Sequence, residues 1–235
     1  MKTALIFGGA GEIGSGIKQV LEKVGYKVLI SDIKGPTNRD DFIIGDATSE
    51  LDIKRVIRVA LDRLKEIDVV VNAQGVYELN KIEKTEGETW DKLMSVNAKS
   101  VYLVCKNVIP QMKLRKKGYI VNIASMAGLR GREGQSIYCA SKFAVVGLTE
   151  SLFEELKGTG VRVTAVCPTS VNTKFLKNSV RFYGSEAEKI LRPADVARVV
   201  AELVTSHPRV LRKIVSLDIE LEIDKLNRKK QDSAR

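Results

Sequence analysis

The feature that most constrains this chain is an alternation sustained almost to its end. Short runs rich in β-branched residues are each followed by a stretch with helical periodicity. The runs are 3–7, 27–31, 42–44, 68–72, 119–124, 161–167 and 214–217; the helical patterns cover 14–24, 50–65, 89–115, 137–157 and 194–205. Several runs, such as Val69-Val70-Val71, are apolar without interruption, as strands covered on both faces must be. Strand, helix and strand in this rhythm predict a parallel sheet with right-handed crossovers. The expected fold is therefore α/β: one doubly wound domain over 1–220, with a mainly parallel seven-stranded sheet and helices on both faces. A polar tail, 221–235, comes after it. The segment 173–193, with its Lys, Asn, Ser, Gly and scattered aromatics, breaks the rhythm and is expected to form a mobile loop over a site.

Composition narrows the function classes. With 44% hydrophobic and 29% charged residues, the balance is that of a globular protein and argues against disorder. No apolar run reaches the roughly 18 residues that cross a bilayer. The N-terminus reads as a first strand instead of a signal peptide, so a cytoplasmic protein without a membrane partner is expected. Cys105, Cys139 and Cys167 stand in no paired spacing and are expected to be free, buried thiols. The single histidine, His207, excludes a histidine-rich metal site, and no metal is expected. The net charge of +10 is dispersed, and its densest cluster, 227–231, lies in the tail. With aromatics at only 6%, solvated surface explains that charge better than a specific nucleic-acid partner does.

Two places carry chemistry. The turn Gly8-Gly9-Ala10-Gly11-Glu12-Ile13-Gly14 links the first strand to the first helix. Glycine there allows backbone amides to approach a pyrophosphate at a helix N-terminus, as in Rossmann-type nucleotide sites. Asp32 ends the second strand, 18 residues after Gly14, near the spacing at which a carboxylate accepts from the adenosine ribose hydroxyls. A 2′-phosphate would meet a like charge at Asp32, and Glu12 adds a second, so NAD(H) is expected over NADP(H). Lys34 and Arg39 lie close enough in sequence to blunt that preference. The second place is Tyr138-Cys139-Ala140-Ser141-Lys142, where Tyr and Lys at i and i+4 share one helix face. A phenol titrates at about 10, too high for proton transfer at neutral pH. A neighbouring ammonium is expected to lower that value.

With Ser125, 13 residues before Tyr138, and Asn97 in the long helix preceding it, the pattern resembles the short-chain dehydrogenase/reductase family over nearly the whole chain. The resemblance implies an NAD(P)(H)-dependent oxidoreductase moving a hydride between nicotinamide and an alcohol or carbonyl substrate. By that resemblance Tyr138 is the general acid/base, Ser125 steadies the substrate oxygen, Lys142 lowers the Tyr138 pKa and holds the nicotinamide ribose, and Asn97 anchors a water leading from Lys142 to solvent. It also implies cofactor contacts from Gly8, Gly11, Glu12, Ile13, Gly14, Asp32, Asp46 and Ala47. Further contacts are implied from Asn72-Ala73-Gln74-Gly75, Tyr138, Lys142, Pro168, Val171 and Thr173. A homo-oligomer, dimer or tetramer, is implied through the two long helices. The chain departs from the family pattern where Phe7 opens the turn and where Glu12 replaces its middle glycine.

Three rival readings predict different sequences. A catalytically silent dinucleotide-binding sensor or scaffold predicts a broken tetrad, and a nucleic-acid binder predicts clustered cations with stacking aromatics. An epimerase or dehydratase using the same Tyr and Lys predicts a larger C-terminal region. The substrate is left open among 3-hydroxyacyl thioesters, sugars or polyols, hydroxy amino acids and small ketones.

Overall fold

The computed structural model describes residues 1–174 and 190–219. The strands are β1 (Lys2–Phe7), β2 (Tyr26–Asp32), β3 (Phe42–Ile44), β4 (Val69–Asn72), β5 (Gly118–Ile123), β6 (Val161–Pro168) and β7 (Ile214–Leu217). They form one parallel sheet in the order β3-β2-β1-β4-β5-β6-β7. The helices are α1 (Glu12–Lys23), α2 (Glu50–Leu64), α3 (Gly87–Leu93), α4 (Ser100–Leu114), α5 (Ser136–Glu155) and α6 (Pro193–Thr205). The doubly wound α/β reading of the sequence is borne out. The expected polar tail lies outside the described residues, as does most of the segment expected to cover the site.

Strand β1 shows why the continuous apolar runs were needed. Leu5 and Phe7 join a core with Ile53 and Val56 of α2, Val104 of α4 and Val145 of α5. Ala4 and Ile6, pointing the other way, pack with Ile17 and Leu21 of α1 and Val196 and Val200 of α6. All of these are at most 1% exposed. Each fully buried Ile, Leu or Val contributes on the order of 2 kcal/mol, so a polar residue on either face of this strand would be costly.

Boundaries moved where side chains intervene. The fourth run starts at Val69, because the backbone N–H of Asp68 donates to Thr3 Oγ1 (3.1 Å) while a carboxylate oxygen of Asp68 accepts from Thr3 N (3.1 Å). Asp68 is buried and carries Lys117 at 2.9 Å, and its carboxyl sits below the usual range because hydrogen bonds and cations outweigh the opposing effect of burial. The expected single helix 89–115 is α3 and α4 joined by a π-helical stretch, Met94–Lys99.

Winding runs from β1 to β2 and β3 on one side, and through β4 to β7 on the other. The reversal lies between β1 and β4. Open α/β sheets bind ligands at such a point, beyond the carboxyl ends of the strands.

Candidate active site

At that reversal a cleft of about 680 Å³ opens. Its near wall is the glycine turn. Gly8 has φ +71°, and a Cβ there would lie 2.4 Å from Gln74 N; a Cβ on Gly14 would lie 2.3 Å from Gly8 O. The turn is thus pressed against the segment after β4 and against itself, and no side chain fits at either place. Gly11 is the N-cap of α1, and Glu12 and Ile13 open the helix. At the far end of β2, Asp32 accepts from Ala10 N (3.0 Å) and its own neighbour Ile33 N (2.8 Å), so this carboxylate also holds the turn in shape. Asp46 accepts from both the amide and the hydroxyl of Thr48 at 2.8 Å.

The opposite wall comes from β5, β6 and α5. Ser125 stands just after β5 and caps a short 3-10 turn, its Oγ accepting from Ala127 N (3.1 Å). That turn leads to Gly128, whose missing Cβ allows contact with α5: a Cβ would fall 2.6 Å from Lys142 O. This close approach sets Ser125 beside Tyr138 in the first turn of α5. Tyr138 is 8% exposed, its ring held edge-on by Tyr77 at 4.8 Å. Lys142 is 4% exposed, and its ammonium lies 5.9 Å from the Tyr138 ring centroid. Val171 is pinned by a bridge to Leu191, and Thr173 Oγ1 donates to Val171 O (3.3 Å).

Asn97 sits in the π-helical stretch and is fully buried. Single π turns inside α-helices often mark functional sites, because they turn a side chain out of register. Here Asn97 Oδ1 accepts from Val76 N (2.7 Å) while its Nδ2 donates to Val76 O (2.9 Å) and to Ser141 Oγ (3.0 Å). Both amide hydrogens are committed. The side chain therefore clamps the strand-end segment carrying Tyr77 to the helix carrying Tyr138, and any water it anchors must bind the main chain or the remaining lone pair. Asn97 still lies close to Lys142, since a Cβ on Gly75 would be 3.4 Å from Asn97 Oδ1 and 3.6 Å from Lys142 Nζ.

The electrostatics depart from the expectation that Lys142 lowers the Tyr138 pKa. Burial pushes the phenol above its ordinary value, the Ser125 hydrogen bond opposes this, Tyr77 and Cys139 add to it, and Arg132 pulls slightly back. Lys142 is not among the causes. Burial brings the ammonium itself down to about 8, and it donates to Ile123 O at 3.1 Å. Desolvation of the ammonium outweighs the opposing attraction of Cys167.

Of the expected cofactor contacts, Gly8, Gly11, Glu12, Ile13, Gly14, Asp32, Asp46, Ala47, Ala73, Gln74, Gly75, Tyr138, Lys142, Pro168, Val171 and Thr173 all line the cleft, as does Ser125. Asn72 is a correction. Its side chain is 1% exposed and donates to Asn122 Oδ1 (2.8 Å), which is tied onward to Thr149 (2.9 Å). It rivets β4 to β5 and α5 behind the cleft wall. Glu12 also differs from its expected part. Its Oε2 accepts from Lys174 N (2.6 Å), which follows β6 across the cleft. Residues not foreseen on the wall include Ser31, Thr48, Tyr77, Gln135 and Thr169. Only Ser31 and Thr169 carried a signal: each is a hydroxyl at the carboxyl end of an apolar strand.

The wall fits a dinucleotide on two counts. The glycine cradle leaves backbone where side chains would stand. Moreover Ser31 Oγ, Gln74 Oε1 and Thr169 Oγ1 are buried without a partner in the protein, and all three belong to residues lining this cleft. Buried polar atoms are normally satisfied, so three orphans around one cleft point to a polar ligand. Among the described residues no group of acidic, His and Cys side chains is arranged to hold a metal ion.

Comparison with known proteins agrees with this geometry. A family model described as short chain dehydrogenase matches residues 2–183. A 3-oxoacyl-(acyl-carrier-protein) reductase, FabG, of Rickettsia typhi is 31% identical over 224 residues, spanning 88% of this chain and 90% of the relative. Among solved structures, the ligand-free aldohexose dehydrogenase AldT of Thermoplasma acidophilum superposes with a TM-score of 0.84 at 27% identity, over 92% of each chain. A 3-ketoacyl-(acyl-carrier-protein) reductase from Brucella melitensis complexed with NADH gives 0.83 at 28% identity, over 92% of this chain and 96% of that one. A family model matched over most of the sequence, together with a relative at 31% identity, places this protein: the chain belongs to the short-chain dehydrogenase family of oxidoreductases.

Proposed function

We propose that this protein reduces a carbonyl, or in reverse oxidises an alcohol, with Tyr138 as proton donor and acceptor and NAD(H) as preferred cofactor. The observation that supports this most is the convergence of Ser125, Tyr138 and Lys142 with three unpartnered buried polar atoms on one glycine-cradled cleft. When bound, the nicotinamide supplies or accepts the hydride. Ser125 donates a hydrogen bond to the substrate oxygen and stabilises charge growing there. Tyr138, kept un-ionised at neutral pH by burial, delivers a proton to that oxygen as it is reduced. Reduction is the direction this raised pKa favours. Lys142 holds the nicotinamide ribose, and its positive charge, present below about 8, stabilises the phenolate left when Tyr138 gives up its proton. Asn97 keeps Tyr77 and Tyr138 in place.

The NAD(H) preference is supported at the β2 end of the cleft. Ser31, Asp32, Asp46 and Thr48 line it there, whereas the cations among the described lining residues, Arg132, Lys142 and Lys174, lie on the other side. Arg39, close enough in sequence to serve a 2′-phosphate, is turned to Asp41, to which its Nε donates at 2.8 Å. Self-association as a dimer or tetramer is supported by Tyr102 on α4 and Phe143 on α5, each 46% exposed. A cytoplasmic setting is supported by three free buried thiols, Cys105, Cys139 and Cys167. No helix among the described residues is long and apolar enough to cross a membrane. The silent sensor reading is not favoured, since it expects a broken tetrad and the tetrad is intact.

The test is titration with NADH and NADPH, then a panel of carbonyls read by nicotinamide absorbance. The panel begins with 3-oxoacyl thioesters and aldoses, after the names of the relatives above. Tighter NADH binding and turnover that drops about 10²- to 10⁴-fold in Tyr138→Phe, with cofactor affinity retained, is the expected result. Failure to bind either cofactor, or near-normal rates in the variant, would overturn the reading.

A further inference from the structure

The Glu12 carboxylate is an unusual presence. It stands at the first position of α1, where backbone amides and the helix dipole favour an anion. It is exposed, it lines the cleft, and it accepts a 2.6 Å hydrogen bond from Lys174 N across 162 residues of chain. In the sheet, β4 and β5 lie between the strand preceding Glu12 and the strand preceding Lys174. The bond therefore joins the two walls of the cleft. It also occupies two things that a diphosphate would use, namely the positive end of α1 and a backbone donor facing it. Gly8 and Gly14, which have no room for side chains, mark the same spot as the place of closest backbone approach.

We propose that Glu12 is a built-in competitor for the diphosphate of the dinucleotide. Without cofactor it satisfies the Lys174 amide and the start of α1 with the chain's own negative charge; the diphosphate binds by exchange with it. This rests on the reading that the cleft takes a dinucleotide. Its consequence is a cofactor affinity held below what the glycine cradle alone allows, together with a coupling: the loaded protein has Lys174 released from Glu12. The effect acts on the diphosphate and not on the 2′ position, because Glu12 is bonded to Lys174 N beyond β6 while Asp32 ends β2.

The test compares the wild type with Glu12→Gln and Glu12→Gly. Glu12→Gln keeps shape and an acceptor oxygen, and both changes lie at an exposed position, so folding is preserved. Affinity for NADH, ADP-ribose and adenosine is measured by calorimetry on the unreacting protein. Removing one charge a few ångströms from a diphosphate at a partly solvated site should tighten NADH and ADP-ribose by about three- to thirtyfold. The larger gain is expected in Glu12→Gly, and adenosine, which lacks phosphate, should be unaffected. The gain should shrink as salt is raised. Equal or weaker binding of both diphosphate ligands in the two variants would overturn the proposal while leaving the cofactor reading intact. Equal tightening of adenosine would also overturn it, by placing the effect elsewhere. If neither wild type nor variants bind any dinucleotide, the cofactor reading itself fails and the proposal with it.

Discussion

Replacing Lys142 with methionine should make this protein more stable while removing its activity. The ammonium is 4% exposed, and burial lowers its pKa from 10.5 to about 8. At about 1.4 kcal/mol per pKa unit, holding that charge in the fold costs on the order of 3 kcal/mol at neutral pH. Methionine preserves the length and apolar stem of the side chain. It forfeits the hydrogen bond to Ile123 O, leaving a buried carbonyl short of a partner at a cost of about 1 to 2 kcal/mol. The net gain is about 1 to 2 kcal/mol, or roughly 2 to 8 °C in Tm for a domain of this size. The pH dependence identifies the cause. A base whose folded value lies below its unfolded value gives up in the fold a proton that the unfolded chain keeps. Wild-type stability from this group therefore rises as pH climbs from about 8 toward 10.5, whereas the variant has nothing to titrate. Urea unfolding of both proteins at neutral pH and near pH 10 (about the upper end of that window) should show the variant's advantage shrinking or reversing. A variant less stable at neutral pH, or a difference independent of pH, would refute the argument that burial of the ammonium dominates.

Two further changes probe the cofactor end. Asp32→Ala removes both the ribose acceptor and the support of Ala10 N, so NADH binding should weaken about tenfold, with NADPH losing less; unchanged affinities would remove Asp32 from the site. Gly8→Ala places a methyl 2.4 Å from Gln74 N at a φ of +71°, so thermal unfolding should report a loss of about 2 kcal/mol or more and NADH binding should fail. A melt unchanged from wild type would show that the turn can yield.

The fold was legible because its signal is carried by consecutive residues. Val69-Val70-Val71 reads as a strand covered on both faces, as in a parallel sheet flanked by helices, and the structure covers it so. Ser125, Tyr138 and Lys142 were legible for a different reason: their spacing resembles that of a known family, and the structure sets all three on one wall. The features that stayed hidden depend on partners distant in sequence. Nothing near Glu12 announces Lys174, and nothing near Asn72 announces that its amide is spent on Asn122. The Lys142 charge state was equally unreadable, since i and i+4 spacing predicts attraction to Tyr138 but carries no measure of the water lost on burial. Asn97 was singled out but its surroundings stayed hidden, because a regular helix at 89–115 offers no hint that six residues wind differently.

That winding, Met94–Lys99, has a consequence for how this chain can change over time. A π turn is a helix carrying one surplus residue, and the helix beyond it is rotated by about 100° relative to an unbroken α-helix. Trimming the surplus would give a helix with better local geometry, but it would turn the buried face of α4 (Val101, Val104, Val108) relative to α3. It would also swing Asn97 off Val76 and Ser141, loosening Tyr77 and Tyr138 together. Under the proposed function, loss of a single residue along this helix therefore disturbs the core packing of α4 and the site together.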